Sequence, residues 1–103
     1  MKLLTQANRK ALPPLYSQDG KGMDAVAHVK FFGSGRWTWF ITEFDGDDTL
    51  FGWIVSGLGA DCDELAYFSL AELQTLRFPP FNLPLERDLY FTPKPLREAI
   101  NEP

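Results

Sequence analysis

Between residues 37 and 55 the apolar positions recur every second residue. Trp37, Trp39 and Ile41 fall on one parity of the first half, and Phe51, Trp53 and Val55 do so in the second. β-Branched and aromatic side chains dominate both halves, which predicts two strands, over residues 36–44 and 49–55. Between them Asp45-Gly46-Asp47-Asp48 supplies residues that tolerate the backbone of a tight reversal. The hairpin carries all three tryptophans of the chain. Similar strand-forming runs occur at residues 25–32 and 64–68, set off by Gly33-Ser34-Gly35 and by Ser56-Gly57-Leu58-Gly59-Ala60. Connections this short predict antiparallel neighbours, because a parallel pair needs a long crossover.

Elsewhere the spacing lengthens. Leu3, Leu4, Ala7, Ala11 and Leu12 predict a short helix with one buried stripe, ended by Pro13-Pro14. Residues 17–22 read as a turn. Ser69-Leu70-Ala71-Glu72 has the spacing of a capping box and predicts a second helix to about Leu76 or Arg77. The prolines of residues 78–85 predict an extended segment lying over the core, and residues 86–91 a short edge strand or a turn. Thr92-Pro93 is read as an N-cap with proline at the first helical position, leading a terminal helix to Ile100. The expected fold class is therefore α+β. It is a single domain over residues 1–103, an antiparallel meander of about four strands with short helices at the N-terminus, after strand four and at the C-terminus.

Counting by twos assigns Trp37, Trp39, Ile41, Phe51, Trp53, Val55, Leu65 and Tyr67 to one parity, and Phe40, Phe44, Leu50, Ile54 and Phe68 to the other. One face must pack beneath the helices. The other retains aromatic rings that face solvent unless the terminal segments cover it.

Composition narrows the function classes. The chain has 103 residues, 45% of them apolar and 15% aromatic, enough for one core without staples. Fourteen acidic residues against ten basic ones give a net charge of −4. That balance argues against nonspecific affinity for nucleic acids or anionic membranes, which rests on clustered Lys and Arg. The single cysteine, Cys62, excludes an internal disulfide and fits a reducing compartment. No signal peptide and no spanning stretch of roughly 18 to 20 apolar residues is read, so a cytoplasmic location is expected.

Several separated blocks carry a resemblance: Leu12-Pro13-Pro14-Leu15-Tyr16, Val29-Lys30-Phe31-Phe32, Trp37-Thr38-Trp39, Thr42-Glu43-Phe44-Asp45, Phe51-Gly52-Trp53, residues 64–70 and residues 85–91. Taken in order, they resemble a domain-of-unknown-function family of small bacterial proteins, often encoded on plasmids, phages and integrated elements. The resemblance implies an accessory role in mobile-element biology and brings no catalytic residue with it.

The remaining candidates each have a bland reading. His28 sits mid-strand and reads as an ordinary strand histidine. Cys62 lies between Asp61 and Asp63, whose charge disfavours a thiolate nucleophile. Asp45, Asp47 and Asp48 with Glu43 offer too few oxygens for calcium and lack the closing ligand of an EF-hand, so no metal and no cofactor are expected. Glu86-Arg87-Asp88 reads as a salt-bridge cluster holding the tail. The glycine pairs open no helix and lack a phosphate-cradling context.

The leading expectation is a non-enzymatic module that binds a protein. Its expected surface is an aromatic sheet face (Trp37, Trp39, Trp53 and Tyr67) with nearby carboxylates (Glu43, Asp45, Asp47 and Asp48) selecting a basic partner. The alternatives are a single-stranded nucleic-acid binder using the same rings with Lys30 and Arg36, and a small enzyme centred on Glu43 or on Glu86-Arg87-Asp88.

Overall fold

The structure, a computed structural model, describes residues 2–34, 37–56 and 63–101. In chain order its elements are α1 (Gln6–Ala11), a 3-10 turn (Gly22–Asp24), β1 (Val26–Ala27), β2 (Val29–Phe32), β3 (Thr38–Phe44), β4 (Thr49–Val55), β5 (Glu64–Ser69), α2 (Leu70–Thr75), β6 (Arg77–Phe78), β7 (Leu83–Pro84), β8 (Glu86–Arg87), β9 (Lys94–Pro95) and α3 (Leu96–Asn101). The main sheet runs β5-β4-β3-β2-β8, with every neighbouring pair antiparallel. Two ribbons, β1–β9 and β6–β7, flank it.

The mixed α+β class, the antiparallel pairing and three short helices agree with the sequence reading, but the strands exceed four. Residues 86–87 add a fifth strand at the edge of β2. The run at residues 25–32 also divides. The His28 amide donates to the Ile41 carbonyl (2.9 Å), and the residues before it leave the sheet to pair with Lys94–Pro95.

The β3–β4 pairing contains one irregularity. Ile41 faces Gly52 and Glu43 faces Phe51, so Thr42 is an extra residue on its strand. Its hydroxyl donates to the Phe51 carbonyl (3.1 Å). Such a bulge reverses the alternation beyond it. Gly52 stands opposite, where an added Cβ would collide with the Phe40 carbonyl and Ile41 Cα. Glycine is therefore required there.

Registered partners share a face, and two pairs correct the expected parity. Trp39 lies opposite Ile54, and Phe40 opposite Trp53. Trp39 and Ile41 thus share a core with Phe44, Leu50, Val29, Phe31 and Leu85, with Trp37, Ile54 and Phe68 packed against it. Trp53 and Val55 instead lie on the opposite face, against the smaller core of Phe40, Ala27, Leu96 and Ala99. Counting by twos treated the two arms of the hairpin as if they shared a phase. The tight turn sets the register, and the bulge moves Phe44 onto the face of Ile41. With both faces covered, every residue of β3 after Thr38 is buried.

The helices are shorter than the periodicity indicated. Thr5 and Asn8 close a reciprocal capping box at α1, whose six residues bury none of their side chains. The core residues are Leu3 and Leu4 before it and Leu12 after it, in place of a helical stripe. The third helix starts at Leu96 instead of following Thr92-Pro93. Lys94–Pro95 first pair with β1, and the Leu96 amide donates to the Ala25 carbonyl (2.9 Å).

Candidate binding surface

The acidic turn is largely an architectural device. Asp45 Oδ1 accepts from the amides of Asp47 (2.8 Å), Asp48 (2.9 Å) and Thr49 (3.0 Å), while Gly46 takes a φ of +90°. These amides, that of Asp47 foremost, hold the Asp45 carboxyl below its ordinary pKa. Asp48 reaches across to α2. Its Oδ2 accepts from the Ser69 hydroxyl (2.6 Å), its Oδ1 from the Ala71 amide (2.8 Å) and its main-chain carbonyl from the Leu70 amide (2.8 Å). The Ser69 hydroxyl, then the Ala71 amide, lowers its pKa. Ser69 Oγ accepts from the Glu72 amide (3.2 Å), so one arm of the anticipated box is present and Asp48 serves the first two amides of the helix. Asp47 stays at the surface.

Glu43 lies on the other side of the bulge, only 2% exposed. Its carboxylate accepts from the amides of Tyr16 (2.9 Å) and Gln18 (2.7 Å). Gln18 completes the strap. Its Nε2 donates to the carbonyls of Val26 (3.0 Å) and Thr42 (2.9 Å), and its Oε1 accepts from the Val26 amide (2.7 Å). Residues 13–20 are thereby laid along β3, with Tyr16 held at a φ of +71°. Without the bulge Glu43 would face the large apolar core. With it, the carboxylate finds two amides.

Above this network lies an uncovered part of the sheet. Phe51 and Tyr67 are cross-strand partners whose ring centroids are 4.7 Å apart. Tyr67 is 54% exposed, Tyr16 62% and Leu65 37%. A shallow cavity of about 340 Å³ separates Phe51 and Leu65 from Gln18 and Asp19, with Thr42 and Glu43 in its wall. Partial burial, then a hydrogen bond with the Tyr16 side chain and the charges of Asp19 and Glu43, raises the Tyr67 pKa and keeps its phenol protonated.

The structure thus brings Glu43 and Tyr67 together and divides the tryptophans between the two faces of the sheet, with Trp53 opposite Leu65 on the face of Tyr67. Trp39 is buried and stacks on Trp37 at 5.9 Å on the large-core face, while Trp53 is half-buried on the other. Tyr16 and Gln18 were missed as contributors because the sequence shows them only as part of a proline-bounded loop. Their contact with Glu43 spans 27 and 25 positions.

The other candidates are placed plainly. Arg87 Nη1 donates to the carbonyls of Lys2 (2.8 Å) and Leu3 (3.0 Å). Asp88 pairs with Lys30 (3.9 Å) and accepts from the Tyr90 amide (2.9 Å), so Arg87 fastens the N-terminal segment and Asp88 ties its own turn to β2. His28 lines a neighbouring cleft of about 230 Å³, and burial lowers its pKa. Gly35, Arg36, residues 57–60, Asp61 and Cys62 lie outside the described residues. Among the described residues no three His, Cys, Asp or Glu side chains are grouped to hold a metal, and no helix is long and apolar enough to cross a membrane.

Residues 3–99 match the model of the family described as "Protein of unknown function (DUF2958)". No curated protein and no solved structure matches.

Proposed function

The chain belongs to the DUF2958 family, and from its geometry we propose that it acts by binding a protein through the patch of Tyr16, Phe51, Leu65 and Tyr67. One observation carries this reading. On one face of the sheet these four side chains sit together, Tyr16, Leu65 and Tyr67 at the surface and Phe51 half-buried, propped from beneath by a buried polar network. Aromatic side chains anchored on a rigid floor are what interface hot spots require. Asp19 at the rim, in a chain of net charge −4, favours a partner with basic side chains. The function is read as binding without catalysis, inside the cytoplasm. The accessory role in bacterial mobile elements rests on the sequence resemblance alone.

The test compares proteins captured from host lysate by the wild type and by the Tyr67→Ser/Leu65→Ser double variant, followed by affinity measurement with the captured partner. The double variant should keep its melting temperature and weaken the complex by about 2 kcal/mol or more. Asp19→Lys should mainly slow association. Identical affinities for wild type and double variant would refute the patch. Turnover of a defined substrate, abolished by Glu43→Gln in a normally folded protein, would refute binding as the function.

A further inference from the structure

A second site, sharing no residue with that patch, lies between the N-terminal segment, α1 and the α2–β6 junction. Lys2, Arg9 and Arg77 line a cleft of about 560 Å³ there, and among the described residues no Asp or Glu lines it. In a chain with fourteen acids and ten bases this is a marked local inversion of charge. Elsewhere Lys30 pairs with Asp88 and Arg97 with Asp24, while Arg87 holds main-chain carbonyls.

The two guanidinium groups are positioned by contacts that leave their charge available. Arg77 Nη1 donates to the carbonyls of Gln74 (3.1 Å) and Leu76 (2.7 Å), which uses one nitrogen of a guanidinium that carries five N–H groups. The Arg9 guanidinium lies over the Phe44 ring, 5.5 Å from its centroid, an attraction that fixes direction without neutralising charge. The segment bearing Lys2 is held through its own carbonyl by Arg87. Gln6 and Gln74 add amide donors at the wall, and Leu85 with Pro84 gives an apolar side.

We propose that this cleft binds a small organic phosphate with two or more negative charges, its phosphates met by Arg9, Arg77 and Lys2 and its uncharged part lying against Leu85 and Pro84. Guanidinium groups match phosphate oxygens in geometry as well as charge. The clustering of cations from three separate segments in an acidic chain favours a compact polyanion over a long backbone track.

The test titrates the full chain with sodium pyrophosphate, with a nucleoside triphosphate and with single-stranded oligothymidylate, by calorimetry and amide chemical-shift mapping. Pyrophosphate and the triphosphate should bind at sub-millimolar concentration, with shifts centred on residues 2–9 and 74–77. Arg9→Gln and Arg77→Gln should each weaken binding about tenfold, the loss of one charge-assisted contact, at unchanged melting temperature. Should either variant melt early, Lys2→Gln, whose side chain lies at the surface, should show the same direction. Absence of shifts at millimolar pyrophosphate, shifts elsewhere, or unchanged affinity in the variants would overturn the site. Tighter binding of the oligonucleotide than of the triphosphate would overturn the small-ligand assignment.

Discussion

Glu43 fastens the loop before β1 to the middle of the sheet. It is a buried carboxylate whose two oxygens are each met by a backbone amide, and those amides belong to the loop that carries Tyr16. Glu43→Ala would leave both donors seeking acceptors in a site nearly closed to water. A loss of about 2–4 kcal/mol is expected, read by denaturant unfolding with the slope unchanged. Glu43→Gln retains the shape and one acceptor oxygen and should lose less. Equal stability of the alanine variant and the wild type would contradict the assignment. The sequence marked Glu43 as a candidate but put it beside the turn acids. Its true companions, Tyr16 and Gln18, could not be read because hydrogen bonds between a loop amide and a distant strand leave no periodic trace.

At the scale of elements, the start of α2 shows how a correctly read local signal has a wider basis. The serine at residue 69 and the glutamate three places on predicted the helix, and the helix is present with Leu70 and Leu73 buried. The unanticipated participant is Asp48, 21 positions upstream, which binds the capping serine and the next two residues. Ser69→Ala should therefore lower stability by about 0.5–2 kcal/mol in thermal unfolding. Ser69→Ala and Asp48→Asn combined should destabilise by less than the sum of the two alone, because they share a hydrogen bond. Strict additivity would separate the two devices. Capping motifs and the β-hairpin were legible because both are local. The start of α3 was not, since Thr92-Pro93 has good capping chemistry and only the pairing of Lys94–Pro95 with Val26–Ala27 overrides it.

For the whole molecule, the shifted groups predict one direction of response to acid. The His28 pKa is below its ordinary 6.5 in the folded state, so between those two values the unfolded chain binds the extra proton. Stability should begin to fall as pH drops below about 6.5. The Asp45 and Asp48 pKa values are lowered from 3.8; their contribution is full above that value and is lost as pH falls through the folded values. At the alkaline end the raised Tyr67 pKa works in reverse: the folded state keeps a proton that the unfolded state releases near 10, and stability declines above that pH. Melting temperatures measured from pH 3 to 11 should give a plateau with two acid steps below it. His28→Gln should remove the upper step and leave the lower. A profile flat from pH 7 to 3 would contradict all three assignments.

Thr42 makes β3 behave like a text with one inserted letter. Before it, odd numbers face one core; after it, even numbers do, and Phe44 sits with Ile41 while Glu43 turns to the opposite side. Loss of Thr42 would close the bulge and leave Glu43 opposite Phe51 and Phe44 opposite Leu50, whereas the same residues paired without a bulge would place the carboxylate among Leu50 and Phe31 and bring a phenylalanine out toward Tyr67. Which side chains meet the loop and which meet the core is therefore written in how the strand is paired, and a shorter strand without the extra letter could carry the same message.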